Sequence, residues 1–326
     1  MKTGGVTLKK IIIVRASPDW GGLSAKLQQQ GRLAPSDYLP TPLPAGFPPN
    51  VPDILDLWNS SLAMDFFSVR AAVGAIAQKT WQKTGADYIM SVPDFIQWAA
   101  THPDEAVCLF PTDDDDFFAP HLFEGLAVAD RPYIRRFPSP IYVDMLFNRP
   151  LDSRFPRLMP RLRRLYGRYP RKLALFAPLV RPGPDIDGLQ TLACDYFCQT
   201  NNYALMGRGS DWGSKMHEVA DHIDVSRVLD RFKYRWDDGP AKQIALTNKH
   251  PCSISRLMIM LREGFKGATL RRGLEEYVRS FDHLTLPADM AWMQTPLFQL
   301  RDLFANLLDA KSAEVYAETR RYNAGL

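Results

Sequence analysis

No apolar run in this chain reaches the ~20 residues that a membrane-spanning helix needs. Met1 to Lys10 is polar, and Ile11-Ile12-Ile13-Val14 is too short for the apolar core of a secretory leader. These two absences predict a cytoplasmic protein with no transmembrane segment. Cysteine is scarce: the four residues are Cys108, Cys194, Cys198 and Cys252. Cys194 and Cys198 match neither a CxxC pair nor a zinc-knuckle spacing. That excludes a disulfide framework and predicts reduced packing residues. Neither G-x-G-x-x-G nor G-x-x-x-x-G-K-[ST] occurs, so the Rossmann fingerprint and the P-loop are both missing. Charge of one sign is also missing. Forty Lys and Arg stand against 36 Asp and Glu, a net +4, which is no argument for a stable nucleic-acid partner.

The 326 residues are 46% hydrophobic and 23% charged, enough for a large α/β core. The 26 prolines imply many irregular connections, above all in the proline-rich segment from Leu33 to Pro52. Lys9 to Arg15 reads as a first strand, running into the turn-rich loop Ala16 to Gly22. Helical spacing of Val69, Val73, Ile76 and Trp81 predicts a helix within Ile54 to Thr84. Strands are expected at Tyr88–Val92, Ala106–Phe110, Tyr133–Phe137, Ile141–Phe147, Leu192–Leu205 and Ile244–Thr247. Helices are expected at Pro93–Ala100, His121–Val128 and residues 214–235, and through most of 253–326. Strands and helices alternate over the first 250 residues, so the reading is a mixed α/β sheet with a helical C-terminal region. The expected division is an α/β catalytic domain over 1–252 and a helical extension over 253–326.

The strand Ala106–Phe110 runs through Pro111-Thr112 into Asp113-Asp114-Asp115-Asp116, then Phe117-Phe118. Four neighbouring carboxylates repel one another, and oxygen-rich sites suit Mg²⁺ and Mn²⁺. Apolar residues on both sides hold the loop in place. The competing reading is a solvated acidic turn or a helix N-terminus.

A strand ending in an aspartate cluster, inside an α/β domain that opens with a strand and a turn-rich loop, resembles the DxD element of A-type-fold glycosyltransferases. The stretch from Leu109 to Pro120 is also similar to rhamnosyltransferase-like proteins, over about a dozen residues. The resemblance implies an A-type mixed sheet flanked by helices. It also implies a Mn²⁺ or Mg²⁺ that bridges the diphosphate of a nucleotide-sugar donor. Asp114 and Asp116 align with the DxD pair, with Asp113 beside them a donor contact; Asp113 and Asp115 are the alternative register for the metal. Cys198 to Leu205 resembles the border of the acceptor pocket. His250, after the strand Ile244–Thr247, stands where such enzymes complete the metal site. Lys249 and Ser253, with Asn248 and Ser255, are candidates for phosphate or sugar. Ser17, Asp19 and Trp20, in the loop after the first strand, are candidates for the donor nucleotide. The chain departs from the family in its proline-rich insertion and in lacking an obvious motif for the catalytic base.

Transfer from a nucleoside diphosphate needs charge neutralised on the leaving group and a base for the acceptor hydroxyl. Asp211, Glu218 and Asp221 are the candidate bases, each also readable as an exposed helix acid. The acceptor is a glycan, lipid, peptide or small molecule. Two other readings stay open: a metal-dependent nucleotidyl- or phosphotransferase on the same carboxylates, and a non-catalytic basic binding protein. His217 and His222 are five apart, one place too far for HExxH. The arginine-rich stretch Arg149 to Arg171 reads as an acidic-partner patch or as a solvated helix face.

Overall fold

The computed structural model describes residues 7–15, 19, 21–23, 25, 58, 62, 66–137, 141–144, 191–193, 201–219, 233–239, 244–253, 267–279, 281–282, 284–286 and 288–308. The expected sites Ser17, Trp20 and Asp221, the stretch Arg149–Arg171, Cys194 and Cys198 lie outside these residues. Strands are β1 (Lys9–Val14), β2 (Tyr88–Ser91), β3 (Ala106–Thr112), β4 (Phe117–Phe118), β5 (Tyr133–Arg136), β6 (Ile141–Asp144), β7 (Thr191–Ala193), β8 (Tyr203–Arg208), β9 (Arg235–Asp238) and β10 (Ala245–Lys249). The helices are α1 (Phe66–Trp81), α2 (Val92–Thr101), α3 (Gly209–Trp212), α4 (Met216–Val219), α5 (Gly267–Arg279) and α6 (Gln294–Asn306). The chain forms two compact units. One takes Met1–Ala16, Ala77–Ile141 and Ala193–Thr247; the other takes Ser17–Ile76, Tyr142–Leu192 and Asn248–Leu326.

The first unit is built on a six-stranded mixed sheet in the order β2-β1-β3-β8-β5-β9. β1 pairs in parallel with β2 and β3, β8 runs antiparallel to both β3 and β5, and β9 is parallel to β5. Thus β8 alone is reversed. The order explains the sequence pattern. Ile11, Ile12 and Ile13 are all fully buried and β3 is buried along its whole length, as central strands covered on both faces must be. One face carries Ile11, Ile13, Val107, Leu109, Ile134, Tyr203 and Leu205 against Val92, Phe95 and Ala99 of α2 and Trp212, Met216 and Val219. On the other face Phe110 meets the rings of Phe118, Phe123 and Phe137 at 5.4–5.8 Å.

Local chemistry sets the boundaries. Ser91 caps α2: its Oγ accepts the Asp94 N–H at 3.2 Å, and Pro93 occupies the first turn where no donor is needed. β3 continues two residues past Phe110, where Pro111 was expected to stop it. The Thr112 carbonyl accepts the Arg15 N–H at 3.0 Å, so Thr112 faces β1 and Pro111 faces the β8 side. The β8 ladder ends at Leu109, so no pairing is lost where proline lacks its N–H. Gly209 allows a close approach: a Cβ there would lie 2.5 Å from the His102 carbonyl oxygen.

Two expected helices differ. His121–Glu124 is turn, ended by Gly125 at φ +70, a conformation that favours glycine and stops a helix. Of the helix expected over 214–235, the described residues give a 3-10 turn, Gly213–Lys215, then α4, while Arg235 at its other end opens β9; residues 220–232 lie outside the described residues. Arg235, the last residue of that expected helix, is drawn into the sheet by the parallel pairing of β9 with β5, a tertiary contact that overrides local periodicity.

In the second unit α5 and α6 bury Leu270, Leu274, Tyr277, Leu297, Leu300 and Phe304. Tyr277 and Phe304 meet edge to face at 5.5 Å. Arg271 on α5 donates to the Leu308 carbonyl just past α6, satisfying a helix-end acceptor. No described helix is long and apolar enough to cross a membrane.

Candidate functional site

The aspartate run leaves the carboxyl end of β3, beside the carboxyl end of its parallel neighbour β1. Ligand sites of open α/β sheets gather at such ends. Within the run, one carboxylate oxygen each from Asp113, Asp115 and Asp116 lies within 4.8 Å of the other two. Asp115 is 7% exposed and Asp116 fully buried. Asp114 is half-buried and is not one of the three. The converging set is therefore neither of the two alternating registers that the sequence suggested.

Both ends of the loop are fixed. The Trp81 indole N–H donates to the Asp116 carbonyl at 2.9 Å. The Phe118 N–H donates to Thr80 Oγ at 3.2 Å, and that hydroxyl donates to the Ala77 carbonyl at 2.7 Å. Phe117 and Phe118 form β4 and pair with Leu246 and Ala245 of β10. A buried loop anchored this way holds its side chains in place without a ligand. Arg15, the residue after β1, is 5% exposed and its Nη2 lies 2.5 Å from Asp113 Oδ1.

The donor set suits a hard divalent cation. Oxygen ligands at about 2.1 Å from one Mg²⁺ lie at most ~4.2 Å apart. Cis ligands lie closer, roughly 3.0 Å apart, so the three oxygens, within 4.8 Å of one another, would draw together by side-chain movement to share one ion. Three carboxylates and no sulfur favour Mg²⁺ or Mn²⁺ over softer ions.

The other described candidates are placed as follows. Asp211 Oδ2 accepts the Arg208 N–H at 2.7 Å, at the start of α3. Glu218 is exposed on α4. Asp19 belongs to the second unit; its Oδ1 accepts the Gly22 N–H at 2.9 Å and its carbonyl accepts the Leu23 N–H. Ser253 Oγ lies 3.5 Å from the Asn248 carbonyl, and Lys249 is the last residue of β10.

His250 is fully buried in the second unit. Its Nε2 lies 3.0 Å from Arg70 Nη1, its Nδ1 lies 3.0 Å from Cys252 Sγ, and its ring stacks on Phe304. A guanidinium only donates, so Nε2 is the acceptor and Nδ1 carries the proton of the neutral ring. Both ring nitrogens are thus engaged by neighbours in the same unit.

Sequence reasoning missed Arg15, Thr80 and Trp81 as parts of the site. Arg15 had a visible signal: a charge directly after four β-branched residues, at a strand end. Thr80 and Trp81 had none, because their bonds to the loop are long-range. No protein-family model, curated protein or solved structure matches the chain, so its reading rests on its own residues and their geometry.

Proposed function

We propose that this protein is a metal-dependent glycosyltransferase of the A-type fold, using a nucleotide-diphosphate sugar as donor. The observation that carries the reading is the convergence of Asp113, Asp115 and Asp116 at the carboxyl end of β3, beside Arg15. Carboxylates in this arrangement would hold Mn²⁺ or Mg²⁺, which supplies Lewis-acid stabilisation of a departing diphosphate. Asp115 and Asp116, with the least solvent around them, would be the firmest ligands. The fixed loop spares the site reorganisation when charge develops, which is where such catalysis gains most. The half-exposed Asp113 would lie on the solvent side, where a donor enters.

The test is a thermal-shift panel of nucleoside diphosphates and nucleotide sugars, with and without Mn²⁺, followed by product analysis. A ligand of the native state raises apparent stability by mass action. The expected result is a Mn²⁺-dependent rise with one class of nucleotide, then release of nucleoside diphosphate with a glycosylated product. Release of pyrophosphate or nucleoside monophosphate would replace the reading with nucleotidyl or phosphoryl transfer on the same carboxylates. No response to metal or nucleotide would remove both.

A further inference from the structure

We infer that Arg15 is a built-in counter-ion that weakens the hold of the aspartate loop on a divalent cation. Its positive charge beside Asp113 opposes a cation on the same carboxylate, and it faces the diphosphate that arrives with the metal. The inference rests on the metal reading of the aspartate loop and adds a regulatory step to it.

Three observations carry it. Arg15 is 5% exposed, yet its guanidinium reaches Asp113 Oδ1 at 2.5 Å, and Asp113 is one of the three converging carboxylates. The backbone of Arg15 is pinned by its N–H to the Thr112 carbonyl at 3.0 Å, so any response of Arg15 to metal is a side-chain movement that leaves β1 in place. Asp113, at 26% exposed, is the most exposed of the three carboxylates, so it is the one reached from solvent. A carboxylate can accept a hydrogen bond and ligate a cation at once, but the guanidinium charge offsets that of Asp113 and repels a cation held there. Arg15 and the metal therefore oppose each other at Asp113. A guanidinium on a strand end is also suited to pairing with phosphate oxygens, for which its fork of donors is matched.

The experiment reads metal binding and the arginine itself, not turnover. Mn²⁺ binding is titrated by EPR on the wild type and on Arg15→Met, which keeps much of the stem volume without the charge. The Arg15 Nε–H resonance of the wild type, assigned by its disappearance in Arg15→Lys, is followed by NMR during addition of Mg²⁺ and then of pyrophosphate. The expected result is Mn²⁺ binding about tenfold tighter in Arg15→Met. The Arg15 resonance should shift on Mg²⁺ saturation and shift again with pyrophosphate. If the wild type binds metal and the resonance stays where it was, the counter-ion role is overturned and the metal site stands. If Arg15→Met binds no tighter, the opposition is likewise refuted. If neither wild type nor variant binds Mn²⁺, it is the metal reading that fails. The NMR measurement needs only the wild type and the conservative Arg15→Lys, so an unstable Arg15→Met still leaves the inference decidable.

Discussion

The Trp81 indole donates to the main-chain carbonyl of Asp116 at 2.9 Å, joining the last turn of α1 to the most buried aspartate of the loop. Both residues are essentially inaccessible. This bond fixes the backbone that aims the Asp116 carboxylate. Trp81→Phe keeps most of the ring volume and removes the donor. It should lower unfolding stability by about 1–3 kcal/mol, the cost of a buried acceptor without its partner. It should also weaken Mn²⁺ binding. Urea denaturation with a parallel metal titration checks both, and a variant that loses stability but binds metal normally would uncouple the loop from the helix.

The four aspartates should not be equivalent. Asp115→Asn and Asp116→Asn are expected to lose Mn²⁺ binding, while Asp114→Asn stays near wild type, because Asp114 is outside the converging set. In the metal-free protein, removing a carboxylate from the set relieves repulsion. The melting temperature of Asp115→Asn without metal should therefore hold level or rise. Equal loss in all three variants would point to loop collapse, not ligation.

His250 separates ligation from structure. Its two ring nitrogens already engage Arg70 and Cys252. His250→Ala should destabilise the protein by about 2–4 kcal/mol through a cavity and lost hydrogen bonds. The Mn²⁺ requirement of any activity should stay unchanged. A clear upward shift in that requirement would place His250 on the metal and require Arg70 to release it.

The Cys108 thiol, fully buried in the middle of β3, is pushed up far beyond its ordinary value by burial. In the unfolded chain it ionises near pH 8.5. Stability is therefore fully present below that value and falls as pH rises past it, because only the unfolded state releases the proton. The slope attributable to this group is about 1.4 kcal/mol per pH unit. Denaturation curves at pH 8 and pH 10 should show a shallower decline in Cys108→Ala than in the wild type. Matching declines would show that other groups govern the alkaline limit.

The sequence by itself determined the local half of this protein. Four β-branched residues dictated β1, and the uniformly apolar Ala106–Phe110 dictated a central strand, because burial on both faces leaves no room for alternation. Ser91 and Pro93 fixed the start of α2, since capping needs only neighbours in sequence. The mixed α/β class and the aspartate loop after β3 were legible for the same reason. What depended on distant partners was not. Pairing with β5 put Arg235, the last residue of the helix expected over 214–235, into a strand. Which aspartates converge was decided by the path of the loop between Thr112 and Phe118, held by Thr80, Trp81 and β10. The pairing of Arg15 with Asp113, 98 positions apart, came from the parallel register of β1 on β3. The same limit applied to His250, whose ring is oriented by Arg70, 180 positions earlier in the chain. Periodicity and capping act over a few residues, whereas these bonds exist only once the sheet and the helices have assembled.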